Sequence, residues 1–385
     1  MVSVATFLVR TPRELAEAFL RKCGLELPAS FEWSGKVKEV AARVKNCIDT
    51  ADQRQQSRLM QDYERVAGMS DEGGQAALLS VFNDHAVLDH LANSCSRSCW
   101  VYLNDPVAFK RAEEARYTDE HRRGRKWTGV VTRTNLPIDH GALDRFRSAV
   151  LKELGSENVH VDIFDRQRLS FGGDPFSIVQ VTVFRDGLAE DFPEFVDGKL
   201  DWRSRRPVYE AALTYEAKSG VVEVVAENRE IRKHLIEIFV RDLLGVSEHE
   251  PLPFREFDLD PLLRHCKLST DPRDGIESVR VTMLRLQPFD NPGERITLEC
   301  SSKEAGAIWD MANSHFGKTN PLMVGFVVTQ AKLVIRFHPE GDARRGKTLP
   351  LTVTMPHGCD LKDRTQREIL IGEKYLKKWK LLSDA

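Results

Sequence analysis

VYEAALTYEAKSGVVEVVAENREIRKHLIEIFVRDLLG, residues 208–245, decides how the rest of the chain is read. Its first twenty residues alternate around "AKSG", the pattern of two half-buried strands joined by a tight turn. From Asn228 the pattern changes: "NREIRKHLIEIFVRDLLG" reads as a helix that packs back and that Gly245 stops. Hairpin followed by helix is an α+β signature, because consecutive strands pair directly and one helix packs back on them.

Working upstream, "KWTGVVTRT", "NVHVDIFDR" and "FSIVQVTVFRD" read as strands, and "HGALDRFRSAVLKELG" as an amphipathic helix ending at Gly155. The segment between them and the hairpin, "GLAEDFPEFVDGKLDWRSRR", reads as a long polar loop. Before Trp127 the texture is helical throughout. "TPRELAEAFLRKCG" places Thr11 as cap, Pro12 at the first helical position and Glu14 in a capping box, with Gly24 as the stop. "NDPVAFKRAEEARY" offers Asn104 or Asp105 as its cap.

Downstream, "VSEHEPLPFREFDLDP" has proline and acidic punctuation without a period. Beyond it come "ESVRVTMLRLQ", "RITLEC", the helix "SKEAGAIWDMANSHFG", three further strand patterns and a closing helix in "RTQREILIGEKYLKKWKLL". The expected fold is therefore α+β: a helical N-terminal region, residues 1–125, then two mixed domains with mainly antiparallel sheets. Those domains take 126–246 and 247–385, with 247–272 linker-like. Both end in hairpin plus helix, although no residue-level repeat is visible.

Of the 385 residues, 41% are hydrophobic and 30% charged, with a formal charge of −2. No global field recruits a polyanion, so any nucleic-acid surface must be local. Residues 301–385 hold 14 Lys/Arg against 9 Asp/Glu and form the basic end. Seven cysteines at irregular spacing point to a reducing compartment rather than a disulfide framework. The N-terminus has no basic region before an apolar run, and no stretch approaches the ~20 apolar residues of a membrane span. The expected location is the cytoplasm, with no membrane association.

Catalytic signatures are weak. Asp84–His85 and Asp89–His90 are reversed relative to a His-Asp metal pair, and five residues apart their side chains diverge on a helix. Cys95 and Cys99 lack the second pair that structural zinc requires. Glu216-x-Lys218 with Asp201 upstream matches the acid and lysine of a Mg-dependent nuclease, but straddles the "AKSG" turn. Asp271, Asp274 and Gly275 lack calcium-loop spacing. Cys359 beside His357 is the one candidate thiolate. No phosphate loop, dinucleotide fingerprint or nucleophile elbow appears, and no cofactor is expected.

Three arginine clusters remain. "HRRGRKW" holds Arg122, Arg123, Arg125 and Lys126; "DWRSRR" holds Arg203, Arg205 and Arg206; "EGDARRGK" holds Arg344, Arg345 and Lys347 at an expected hairpin tip. The closing helix adds Lys374, Lys377, Lys378 and Lys380 around Tyr375 and Trp379. Guanidinium forks suit phosphate, and aromatics stack on bases. The expectation is a binding or regulatory protein rather than an enzyme, with DNA or RNA as partner. The alternatives are an assembly subunit that docks a protein partner through its N-terminal helices, arginines that pair with the chain's own acidic "EHEPLPFREFDLDP" within one chain or across a homodimer, and a divergent Mg-dependent nuclease.

Overall fold

The computed structural model describes residues 3–383 apart from 123–124, 135–136, 170–174, 253–255, 292, 303, 305, 324 and 340–343. Helices and antiparallel sheets are both present, as an α+β reading requires. The chain divides into two compact units, one taking residues up to 168 together with 176–250, the other 169–175 together with the residues from 251 onward. No helix among the described residues is long and apolar enough to cross a membrane.

The first unit opens with eight helices: α1 (Val4–Arg10), α2 (Arg13–Lys22), α3 (Val37–Asp49), α4 (Gln53–Gly68), α5 (Glu72–Val81), α6 (His85–Asp89), α7 (Ser94–Asn104) and α8 (Pro106–His121). Asp52, Asp71, Asn93 and Asp105 cap α4, α5, α7 and α8 by accepting from free N–H groups of the first turn. The cap expected of Thr11 is absent. Its hydroxyl donates to the Phe7 carbonyl at 3.0 Å, because α1 ends just upstream, and Pro12 stands at the N-cap of α2 without a side-chain bond. The apolar faces meet in one core, where Phe7 stacks edge-on against Phe19 and Tyr63, and Tyr102 against Phe109.

The first sheet follows, from β1 (Trp127–Val131), α9 (Leu143–Glu153), β2 (Val159–Leu169), β3 (Pro175–Asp186), β4 (Glu190–Val196), β5 (Lys199–Arg205), β6 (Val208–Glu216), β7 (Val221–Val225), α10 (Arg229–Asp242) and β8 (Glu250–Pro251). Six strands run in the order β2-β3-β6-β7-β1-β8, while β4 and β5 pair only with each other. The segment read as a polar loop is thus a two-stranded ribbon. Asp197 and Gly198 join its strands with φ of 49° and 76°, the positive angles of a type I′ hairpin turn.

The six-stranded sheet has two unlike faces. Val181, Val183, Leu213, Tyr215, Val222 and Val224 pack beneath α9 and α10 against Phe146, Leu235 and Phe239. The opposite face presents Arg166, Arg168, Gln180, Thr182, Thr214 and Glu223, all buried. This polar face meets α8, so the helical region and the sheet share one unit through hydrogen bonds between two separate hydrophobic cores.

The second unit holds β9 (Ile276–Pro288), β10 (Ile296–Glu299), α11 (Ala307–Phe316), β11 (Phe326–Phe337), β12 (Thr348–Thr354), β13 (Gly358–Cys359) and α12 (Gln366–Lys378). Its antiparallel sheet runs β10-β9-β11-β12-β13. Leu284, Leu286, Leu333, Ile335 and Leu351 form the core with Trp309, Tyr375, Leu376 and Trp379. The stretch read as linker-like adds Phe257, Leu259 and Leu262 to that core.

Candidate functional site

The arginine clusters occupy three different electrostatic settings. Arg122 lies at the end of α8 and places Nε 2.7 Å from the Glu223 carboxylate, and Lys126 pairs with Glu227. Arg125 is exposed, and Arg123 lies outside the described residues. On the ribbon, Arg205 pairs with Glu194, while Arg203 lies 3.9 Å from Glu194 and 4.0 Å from Asp201. Arg206 reaches Glu157 at 2.6 Å. Most of these two clusters is therefore matched to the protein's own carboxylates. The third cluster differs: among the described residues, no carboxylate lies within ion-pair distance of the exposed Arg344, Arg345 or Lys347.

That cluster closes the connection between β11 and β12, whose pairing reveals what shares its surface. Cross-strand partners lie on the same side of a sheet. Arg336 is opposite Ser278 and Thr348, Val334 opposite Arg280 and Pro350, Lys332 opposite Thr352, and Gln330 opposite Arg285 and Thr354. The face away from the core thus carries Arg280, Arg285, Lys332 and Arg336 among threonine, serine and glutamine, with Met283, Val334 and Pro350 between them. Glu299 is on the same side, opposite Met283, and Glu277 pairs with Arg336 at 3.0 Å. The row from Gln330 to Arg336 spans about 20 Å at the rise of a strand. Signal for it was present in the alternating Arg and Lys of "RVTMLRLQ" and "TQAKLVIRF", but only the register brings them together. Tyr375 and Trp379 are buried in the core, which removes them as base-stacking platforms.

The buried network beneath α8 was not anticipated. Arg166, fully buried, grips Asp119 with both terminal nitrogens at 2.8 Å and donates through Nε to Gln180 at 2.7 Å. Arg168 bridges Asp119 at 2.9 Å and Glu223 at 2.8 Å. Burial alone would raise the Asp119 carboxyl, but the adjoining Arg166 and Arg168 guanidinium groups hold it well below the usual range. Arg168 Nε is buried without a hydrogen-bond partner, but the remaining charge-assisted bonds fix the joint between α8 and the sheet.

A groove of about 700 Å³ opens beside it, lined by Tyr117, Tyr209, Glu210, Ala226, Asn228 and Ile231. Burial, and then the charge of Glu114, push the Glu210 carboxyl up to about 7. Glu114 is itself buried on α8, with Lys110 Nζ 3.3 Å away.

The ribbon has one charged and one apolar face. Pro193 is opposite Trp202, and Phe195 opposite Leu200, so these four share a side. They remain open to solvent: Phe195 is 78%, Trp202 64% and Leu200 58% exposed.

The other candidates separate. Glu216 ends β6 and accepts from the Ser219 hydroxyl at 2.8 Å, Lys218 sits in the following turn, and Asp201 is on the ribbon. His85 lies at the start of α6, with Nε2 2.9 Å from the Leu79 carbonyl. Among the described residues, no three His, Cys, Asp or Glu side chains converge as a metal ion requires. Burial pushes the Cys99 and Cys359 thiols up to about 12, so neither is a ready thiolate at neutral pH. No protein-family model and no curated protein matches the chain.

Proposed function

We propose that the protein is a non-enzymatic nucleic-acid-binding protein that holds phosphate on the open face and hairpin end of its second unit. The observation that carries this reading is the unequal pairing of the cations. Two clusters are largely neutralised from within, whereas Arg344, Arg345 and Lys347 are exposed without carboxylate partners among the described residues. They lie at the hairpin end of the sheet whose outward side carries Arg280, Arg285 and Lys332. This face lacks aromatic side chains among the paired positions named above, so contacts run to the backbone rather than to stacked bases, with little sequence preference.

The test is a salt-titrated anisotropy measurement with labelled single- and double-stranded DNA and RNA in EDTA. Three or more phosphate contacts give a slope of log K against log salt of about −3 or steeper. Arg344→Glu with Arg345→Glu should weaken binding and flatten that slope. No binding at ~50 mM salt, or a double variant with unchanged affinity, refutes the reading.

The ribbon favours a second reading, protein assembly. The apolar faces of the N-terminal helices are turned into their own core, whereas Pro193, Phe195, Leu200 and Trp202 have nothing over them among the described residues. Two aromatics and two smaller side chains at these exposures offer roughly 450 Å² per ribbon. Ribbon-on-ribbon contact between two copies would bury about 900 Å², short of the ~1,200–2,000 Å² of a stable interface. The occupant that fits is an apolar cleft in a different protein, which also covers the ribbon's edges. A chain that light scattering finds dimeric at micromolar concentration, and monomeric after Trp202→Ser, would instead assign the face to self-association.

A further inference from the structure

β6 is longer than the strand beside it. It pairs with β3 from Val208 to Tyr215, but β7 covers it only from Ala212 to Glu216. Over Val208–Ala211 one edge of β6 therefore has no partner strand among the described residues. The groove lies along this stretch, where β7 has turned away at Ala226 and the first turn of α10 supplies Asn228 and Ile231. Val208 and Tyr209 are among the exposed large side chains of the chain.

An open edge of about four residues, some 13 Å long, is a template for one more strand. We infer that this groove binds an extended peptide segment of a partner protein, which adds to β6 in the lane that β7 vacates and places a basic side chain opposite Glu210. Strand addition supplies affinity through main-chain hydrogen bonds and specificity through alternate side chains.

Charge argues for the basic position. Glu210 lies on the α8 side of the sheet, opposite Phe184. The charged groups around it are Glu114, Lys110 and Glu113 on α8. Lys110 lies against Glu114, and Glu113 is engaged by Arg65 at 2.7 Å. Across the groove Glu227 is paired with Lys126. Glu210 is left with no ion-pair partner among the described residues, and a cation set directly across from it on an added strand would supply one. The neighbouring positions of that strand fall on the other side, beside Tyr209, over whose ring Arg185 is stacked at 5.1 Å. An apolar–basic–apolar alternation fits both sides.

The test uses the full chain and a short acetylated, fluorescein-labelled peptide of alternating valine and lysine. Its controls are a twin N-methylated at alternate amides, and a peptide with glutamine for lysine. Saturable binding of the lysine peptide is expected, with the N-methylated twin weaker by ~tenfold for its lost main-chain bonds. Glu210→Gln should weaken the lysine peptide several-fold and leave the glutamine peptide unchanged. Saturation should also slow amide exchange at Tyr209 or Ala211. Equal binding of the methylated twin would show simple charge adhesion and overturn the inference, as would no saturation by ~1 mM. Because the groove belongs to the first unit, Arg344→Glu with Arg345→Glu should leave this binding intact, so its failure is distinguishable from failure of the nucleic-acid reading.

Discussion

Glu210→Gln should make the folded protein more stable at pH 8 and leave it nearly unchanged at pH 4.5. The carboxyl titrates near 7 in the fold, raised by burial and by Glu114 from an ordinary 4.5. Below pH 4.5 it is protonated in both folded and unfolded chains, and its titration adds no stability difference. Between 4.5 and 7 the unfolded chain gives up its proton first, so stability falls as pH rises. At 1.36 kcal/mol per pKa unit the full shift is about 3 kcal/mol; partial exposure and sharing with Glu114 reduce the expected gain to roughly 2 kcal/mol. Glutamine keeps the shape and never ionises. For a unit of this size, ~2 kcal/mol corresponds to a rise of about 4–8 °C in Tm. Thermal unfolding followed by circular dichroism at both pH values measures it. A gain equal at the two pH values, or a less stable variant at pH 8, would refute the reasoning, since either means that the Glu210 charge carries no penalty in the fold.

Three further outcomes follow from the geometry. Asp119→Ala removes the shared acceptor of Arg166 and Arg168 and should cost about 3–5 kcal/mol, read as a lower urea midpoint. In the parent protein the same carboxyl, held low, contributes stability that is lost on acidification below its ordinary range near pH 4, so the loss with falling pH should be smaller in the variant. Gly198→Val forces a β-branched residue into φ 76° and should loosen the ribbon tip, increasing proteolysis near 198 while the main unfolding transition stays in place. Cys99 and Cys359, pushed up to about 12, should be alkylated by iodoacetamide at pH 8 far more slowly in the native protein than after denaturation, a difference mass spectrometry of the digest resolves.

What could be read from the sequence was what local pattern determines. The β6–β7 hairpin, α10 and α12 follow from periodicity and stop signals, and Asp105 caps α8 as its position suggests. The ribbon escaped because both strands are almost wholly exposed, so no buried face announces them; the Asp197–Gly198 pair was the legible sign and lay inside a segment judged polar. Nothing in "FDRQRL" singles out Arg166 and Arg168, since their partners Asp119 and Glu223 stand 47 and 55 residues away. The overhang of β6 was written in the unequal arms of "VYEAALTYE" and "VVEVV", but an unequal hairpin becomes a groove only where the next element turns aside.

The seam between α8 and the sheet also governs where the chain tolerates change in length. Apolar surfaces can slide and repack, whereas the Asp119 carboxylate must meet two guanidinium groups at once. One residue inserted in α8 ahead of Asp119 rotates the rest of the helix by ~100° and swings that carboxylate out of reach. The same insertion beside Asp197 merely lengthens a solvent-exposed tip. Fusion tags, epitope loops and transposon insertions should therefore survive near 197–198 and fail within the last two turns of α8, so the seam acts as an indexing key that admits only one phase of the helix.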